Sequence, residues 1–271
     1  MIKNKRILIT GCAGSIGSEL ARQLYQHNNV IGVDFNETGI WDLKEELGID
    51  VVVGDIKDEN VLAQAFKFRP QIVFHAASLK HVVVLEITPQ DAVDTNITPT
   101  LNLIDLCKRN YAKFIFISTD KAVNPSCVMG ASKLFGEVVT RNAGFIAVRF
   151  GNVMNSRGSV LPIWQRQLRQ GRPLTVTDPR MERFMMTIEE AVALVIVAAE
   201  KGEKGDLIVL DMGKQVKIIE IAKEILSKAR GNQGLKVIGI RQGEKLSEQL
   251  LTEQEEKNTI KKNSFYVIKR N

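Results

Sequence analysis

Arg6-Ile7-Leu8-Ile9-Thr10-Gly11-Cys12-Ala13-Gly14-Ser15-Ile16-Gly17 decides how the rest of the chain is read. A short apolar run stops at a glycine. Glycines then recur as G-x-x-G-x-x-G, while Ile16, Leu20 and Leu24 repeat every four residues, as one face of a helix does. The order is strand, tight turn, helix. Gly11, Gly14 and Gly17 let the backbone turn sharply and approach a ligand, and the N–H groups from Ser15 and Ile16 onward open a helix with a partial positive charge. A pyrophosphate suits such a loop; a glycine turn without a ligand is the alternative.

The same alternation continues outward. Apolar runs at Val30–Val33, Val51–Val53, Ile72–Phe74, Phe114–Ile117 and Ala147–Phe150 are separated by helical patterns such as Val61–Phe68, Asp91–Arg109 and Ser132–Asn142. Short continuous apolar strands between helices predict an α/β fold, a doubly wound parallel sheet of Rossmann type covered on both faces. Residues 1–150 read as a dinucleotide-binding domain. Beyond Gly151 the rhythm loosens: strands at Leu174–Val176, Leu207–Leu210 and Val237–Ile240 alternate with helices at Val160–Gln170, Ile188–Lys201 and Ile218–Ala229. Residues 151–271 read as a smaller lobe, with some segments returning to the first domain.

Composition narrows the classes. Of 271 residues, 44% are hydrophobic and 25% charged, which excludes disordered, collagenous and disulfide-scaffold chains. The longest apolar stretch, near Ala191 to Ala199, is too short to span a bilayer. The first ten residues lack the apolar core of a signal peptide. Three cysteines (Cys12, Cys107, Cys127) without ligand spacing predict no metal site and a reduced, cytoplasmic setting. The net charge of +6 is scattered, densest over Lys257 to Arg270, with no basic stripe interleaved with aromatics, so nucleic acid is not the expected partner.

Asp34 ends the second strand, 23 positions after Gly11. A carboxylate there accepts hydrogen bonds from ribose hydroxyls and repels a 2′-phosphate. With no arginine in Asp34-Phe35-Asn36-Glu37, NAD is favoured over NADP. Asp55, before Ile56, reads as an adenine-edge contact or as a turn aspartate. Ser118-Thr119-Asp120-Lys121 follows the apolar strand Phe114–Ile117, at the carboxyl edge where ligands bind in such sheets. A hydroxyl, a carboxylate and an ammonium in succession supply acid and base. Lys133 lies twelve residues beyond Lys121.

Gly11–Gly17, His75-Ala76-Ala77-Ser78-Leu79-Lys80-His81-Val82, Ser118–Pro125, Val128–Lys133 and Arg149-Phe150-Gly151-Asn152-Val153 resemble an extended short-chain dehydrogenase/reductase. With Ser156-Arg157-Gly158-Ser159-Val160, Asp178–Phe184 and Arg241–Leu246 they resemble, more narrowly, the CapD-like UDP-N-acetylglucosamine 4,6-dehydratases of polysaccharide biosynthesis. The resemblance implies C4 oxidation, loss of water across C5 and C6, and return of the hydride to C6. It implies Asp120 as the acid at the 6-hydroxyl, Lys121 as the base at C5, and Thr119 at the 4-hydroxyl. Lys133 would hold the nicotinamide ribose. Ala76, Ala77, Ile56 and Lys80 would line the cofactor. Lys80, His81, Asn152, Ser159, Val160, Arg183, Arg241 and Glu244 would take the UDP-N-acetylhexosamine. A homo-oligomer is implied as well. His75 is expected in the core.

A free lysine is protonated and a free aspartate ionised at pH 7, so acid–base work by Asp120 and Lys121 requires an environment that pushes both toward neutrality. Met129 stands where these enzymes usually place a tyrosine base. It matches an active branch of larger, membrane-anchored dehydratases, and leaves Asp120 or a relay through Thr119 as the oxidation base. Val83 replaces a usual proline. Pro99 replaces a usual glycine and is expected to kink its helix, and Phe35–Gly48 is short, which could alter a subunit contact. Another sugar-nucleotide epimerase or dehydratase, or a non-catalytic dinucleotide-binding protein, are the alternative readings.

Overall fold

The computed structural model describes residues 2–229 and 233–270. Its main sheet joins β1 (Arg6–Thr10), β2 (Asn29–Asp34), β3 (Asp50–Val53), β4 (Ile72–His75), β5 (Lys113–Thr119), β6 (Ile146–Phe150), β7 (Leu207–Leu210), β8 (Thr259–Lys262) and β9 (Phe265–Ile268). The spatial order is β8-β9-β7-β6-β5-β4-β1-β2-β3. Pairing is parallel from β3 through β7, and β9 and β8 add an antiparallel edge. The direction of winding reverses between β1 and β4, which opens a crevice at their carboxyl ends.

The strands are apolar on both sides because both sides are covered. Ile7 and Ile9 pack into one layer with Leu20 and Leu24 of α1 (Ser15–Leu24) and Leu43 of α2 (Glu37–Leu47). Leu8, between them, points into the other layer with Leu62 of α3 (Glu59–Phe66) and Leu103 of α4 (Thr98–Arg109). That second layer also includes Phe114 and Phe116 of β5, against which α5 (Val128–Asn142) packs. Each large apolar side chain so buried contributes about 1.5–3 kcal/mol. Helix α6 (Ile188–Lys201) covers the first layer. Its start is fixed by a capping box in which Thr187 Oγ1 accepts from Glu190 N at 3.1 Å and Glu190 Oε2 accepts from Thr187 N at 3.1 Å. A smaller apolar cluster gathers Trp164, Leu174, Val176, Met181 and Ile218, with Trp164 Nε1 donating to Thr175 O at 2.8 Å.

Several sequence expectations shift. The helix expected over Asp91–Arg109 is broken: Pro89–Ala92, then a π-helical turn Val93–Ile97, then α4. Pro99 has no N–H to continue the upstream ladder, and the widened turn precedes it. Helix α5 starts at Val128, before the expected Ser132, because Cys127 caps it by accepting from Gly130 N. The strand expected at Val237–Ile240 is Leu235–Val237 instead, paired with Leu174–Val176, and Gly239 at φ +88° turns the chain away. The basic segment 257–270 contributes β8 and β9, which pair onto the main sheet.

Arg149 is buried in β6 at 1% exposure. Its Nε and Nη2 donate to Glu137 of α5 at 2.9 and 2.6 Å, and its Nη1 and Nη2 to Glu255 at 2.9 and 3.0 Å. Burial disfavours the charge, but the two carboxylates more than offset this and hold the guanidinium well above its ordinary pKa. Arg149→Leu should destabilise the chain by about 3–5 kcal/mol by leaving Glu137 buried without its partner. Denaturant melts of R149L against the R149L/E137L double variant check this, the second change being expected to restore much of the loss.

Candidate active site

Gly11 at φ +71° follows β1 and donates to Val33 O at 2.8 Å. A Cβ on it would lie 2.6 Å from Ala77 N, so only glycine lets β1 and β4 close together at the crevice. Gly17 packs so tightly on Gly11 O that a Cβ has no room. Gly14 caps α1 without a side-chain acceptor, which leaves the first N–H groups facing outward. The Asp34 carboxylate sits behind the loop: Oδ2 accepts from Ala13 N and Oδ1 from Asn36 N, both at 3.0 Å. It therefore holds the loop shape. Asp55 accepts from Lys57 N at 2.9 Å and pairs with Lys57 Nζ at 3.3 Å, so in this structure it works as a turn aspartate.

A cavity of about 490 Å³ runs from this loop to the end of β5. Gly11, Gly14, Ser15, Ile16, Gly17 and Ala76 form one end, and Thr119, Met129 and Lys133 the other. A second cavity of about 440 Å³ adjoins it, walled by Val160, Arg183, Arg241 and Glu244. Lys80, His81, Lys121, Asn152 and Ser159 line both. The structure thus brings together most of the expected residues around one bipartite site. Asp34, Asp55, Ile56, Ala77 and the fully buried Asp120 stand outside the lining of either cavity; Asp120 meets the site through Thr119 and Lys121.

Thr119, Asp120 and Lys121 turn off the end of β5, and Gly130 of α5 fits against Lys121 O with no space for a Cβ. Asp120 is fully buried. Its Oδ1 accepts from Thr119 Oγ1 at 2.9 Å and from Lys121 Nζ at 2.9 Å. Its Oδ2 has no hydrogen-bond partner among the described residues and lies against Gly151, where a Cβ would come within 2.9 Å. Lys121 Nζ also donates to Asn152 Oδ1 at 3.3 Å and stands 3.7 Å from Glu248 Oε1. Burial pulls the Lys121 amine down, yet Asp120 and Glu248 outweigh it and its pKa is raised. This corrects the expectation that enclosure makes Lys121 neutral: without substrate it is an ammonium.

Lys133, a helical turn past Met129, is 6% exposed, with Nζ 4.3 Å above the Phe116 ring. Burial lowers its pKa to about 8, against the pull of Glu137. His75 is in the core, as expected. Thr100 Oγ1 donates to Asn96 O at 2.7 Å and so accepts from His75 Nε2 at 2.9 Å, which leaves Nδ1 to accept from Thr10 Oγ1 at 2.7 Å. Burial and Lys133 push its pKa down to about 3. Burial also lowers His81, whose ring packs on Gly158. Met129 is 4% exposed among Leu85, Ala92 and Cys127.

Sequence reading missed three residues of the site. Asn96, in the π-turn, clamps Leu79 N at 2.8 Å and Leu79 O at 3.0 Å and so fixes the loop that carries Lys80 and His81. Glu86 Oε1 accepts from Val128 N at 2.7 Å and anchors α5. Glu248 enters from the far end of the chain. Arg183 was expected at a diphosphate; its guanidinium donates to the carbonyls of Glu182, Lys245 and Leu246 at 2.7–3.1 Å, bracing the segment that carries Glu248.

Lys133 carries a stability prediction. Its folded pKa is depressed, so the unfolded chain binds more protons between about pH 8 and 10.5. The penalty is complete below about pH 8 and relieved as pH rises toward 10.5. Lys133→Met should therefore stabilise the fold at pH 7 by about 1–3 kcal/mol, with a smaller gain at pH 10. Melting curves at both pH values test it.

Comparison with known proteins agrees with this architecture. The family model described as "Polysaccharide biosynthesis protein" matches residues 7–270. The chain is 41% identical to the capsular polysaccharide biosynthesis protein CapD of Staphylococcus aureus over 94% of its own length and 46% of that protein, and so spans about half of that relative. It is 33% identical to a UDP-N-acetylglucosamine 4,6-dehydratase (inverting) of Campylobacter jejuni, over 99% of this chain and 84% of the other. A UDP-glucose 4-epimerase of Rickettsia bellii is similar at 34%, over 99% and 84%. The X-ray structure of Pen from Bacillus thuringiensis superposes with a TM-score of 0.92 at 32% identity, covering 98% of this chain and 90% of that one. With a loop, strand order and site of this kind, and a family match over nearly its whole length, the chain belongs to the polysaccharide biosynthesis protein family.

Proposed function

We propose that the chain is a UDP-N-acetylglucosamine 4,6-dehydratase that forms a UDP-4-keto-6-deoxy-N-acetylhexosamine with NAD held in the glycine-loop cavity. The observation that carries the reading is the Asp120–Lys121 pair: Nζ and Oδ1 are 2.9 Å apart, with Lys121 lining both cavities and Asp120 buried directly behind it. Gly11, Gly14 and Gly17, the uncapped start of α1, Asp34 and Lys133 suit a dinucleotide, because the loop has room for a pyrophosphate only where side chains are missing. NAD held by these residues would supply a reversible hydride store for the sugar's oxidation and reduction. The lobe of residues 151–271 takes the sugar nucleotide, with Arg241 and Glu244 at its uridine end and Asn152 near the sugar.

Each residue then has one task. The Thr119 hydroxyl, bonded to Asp120 Oδ1, meets the 4-hydroxyl and passes its proton inward. The 4-ketone makes the C5 hydrogen acidic. Lys121 removes that proton, and protonated Asp120 gives its own to the departing 6-hydroxyl. Epimerisation, the activity named in some relatives, requires no acid and base at C5 and C6, so this pair favours dehydration.

The test is an NMR time course with UDP-N-acetylglucosamine and NAD in deuterated water. The expected result is a new 6-methyl signal with deuterium at C5; a C4 epimer without a methyl signal overturns the reading. Lys121→Ala should cut dehydration by about 10²–10⁴-fold while leaving cofactor binding intact.

A further inference from the structure

We propose that Glu248 is the third proton site of the active centre: it takes the proton that Lys121 must shed before Lys121 can act as a base, so that Met129 need hold none. The proposal rests on the dehydratase reading above.

Glu248 is 2% exposed, faces the substrate cavity, and stands across Lys121 Nζ from Asp120. Its Oε2 has no hydrogen-bond partner among the described residues, an uncommon state for a buried carboxyl oxygen. The groups that act on it are Lys121 and Asp120 from the turn after β5, Arg183 from the strand pair at Glu182–Arg183, and Lys245 on its own segment. Burial raises its carboxyl above the usual range, Lys121, Arg183 and Lys245 pull it back, and Asp120 raises it further; the net shift is upward. The segment is held in place by Gln215 Nε2 donating to Glu248 O at 2.8 Å and by Lys245 Nζ donating to Val123 O at 2.9 Å.

Proton counting demands such a group. The proposed cycle begins with one proton among Asp120, Lys121 and Glu248, on the Lys121 ammonium that both carboxylates face. Oxidation at C4 releases the 4-hydroxyl proton, which reaches Asp120 through Thr119. Asp120 is then an acid, but Lys121 is still an ammonium and C5 has no base. A tyrosine would offer another proton site; the Met129 thioether cannot. Transfer of the Lys121 proton to Glu248 frees the amine. Lys121 then takes the C5 proton, the C5–C6 double bond forms, and Asp120 protonates O6, which leaves as water. With a dinucleotide bound to supply the hydride at C6, Lys121 would give its proton to C5, and Glu248 would return to Lys121 the proton it held. The trio again carries one proton, the sugar has lost one water, and no outside oxidant or reductant is consumed. Glu248 acts through Lys121 and not on the sugar, so it is a positioning residue for the proton inventory.

The experiment compares the unsubstituted chain, E248Q and E248D, each with NAD and UDP-N-acetylglucosamine, by kcat and KM from pH 6 to 9. Dinucleotide binding and melting temperature confirm that the variants fold. In the unsubstituted chain kcat should vary little across neutral pH. In E248Q the lysine must lose its proton to solvent, so kcat should fall about 100-fold at neutral pH and climb about tenfold per pH unit, with KM little changed. E248D should restore part of the rate and the flatter profile. An E248Q profile parallel to that of the unsubstituted chain, whatever its height, overturns the proposal alone. Absence of 6-methyl product from the unsubstituted chain overturns the dehydratase reading and this inference with it.

Discussion

One guanidinium ties together the parts of the chain that carry the chemistry. Arg149 projects from β6 and spends its donors on Glu137 of α5, on Glu255 and on Leu250 O. Helix α5 brings Met129 and Lys133 to the site, β6 leads directly to Gly151 and Asn152, and the stretch just before Leu250 brings Glu248. The three come from distant points in sequence. A planar fork with fixed donor directions sets their mutual angle in a way a flexible lysine would not. Because the pair is dry, loosening it costs more than an exposed bridge would.

Burial alone does not decide the charge of the two site lysines; neighbours do. Lys133 and Lys121 are both taken out of water. For Lys133 the nearby carboxylate is Glu137, whose charge is already committed to Arg149, and an aromatic face offers only partial compensation. Its pKa falls. Lys121 faces two carboxylates, and its pKa rises. Neutral His75, wired between Thr10 and Thr100, keeps a further positive charge away from Lys133. The same enclosure thus leaves one lysine near its titration point and the other firmly charged.

The sheet was legible because both of its faces are buried, so β1, β5 and β6 read as unbroken apolar runs, and because the glycine loop has no other backbone solution. The carboxylate–ammonium pair at the end of β5 was legible because Asp120 and Lys121 are adjacent. Glu248 was not, since it lies 127 residues from Lys121 and looks like any other glutamate in a charged segment. Asn96 was hidden for a different reason: its stretch is periodic enough to pass as ordinary helix, and only the π-turn before Pro99 aims its amide at Leu79. The charge state of Lys121 also escaped, because adjacency in sequence says nothing about a second carboxylate arriving in space.

The position of Met129 follows from the same packing. Its neighbour Gly130 lies against Lys121 O with no room for a side chain, and Gly243 is pressed between Cys127 and Val82. The loop of residues 241–248 is therefore closed over the start of α5, and Ser126 Oγ donates to Gly243 O at 3.1 Å across that seam. A methionine fills an irregular apolar gap without demanding a hydrogen-bond partner, whereas a buried phenol would need one. Thr119 and Lys121 already direct their polar atoms to Asp120 Oδ1, Asn152 and Glu248, while Asp120 Oδ2 lies against Gly151. An apolar residue at 129 and a carboxyl at 248 leave Lys121 facing Asp120 and Glu248, with the thioether outside that set.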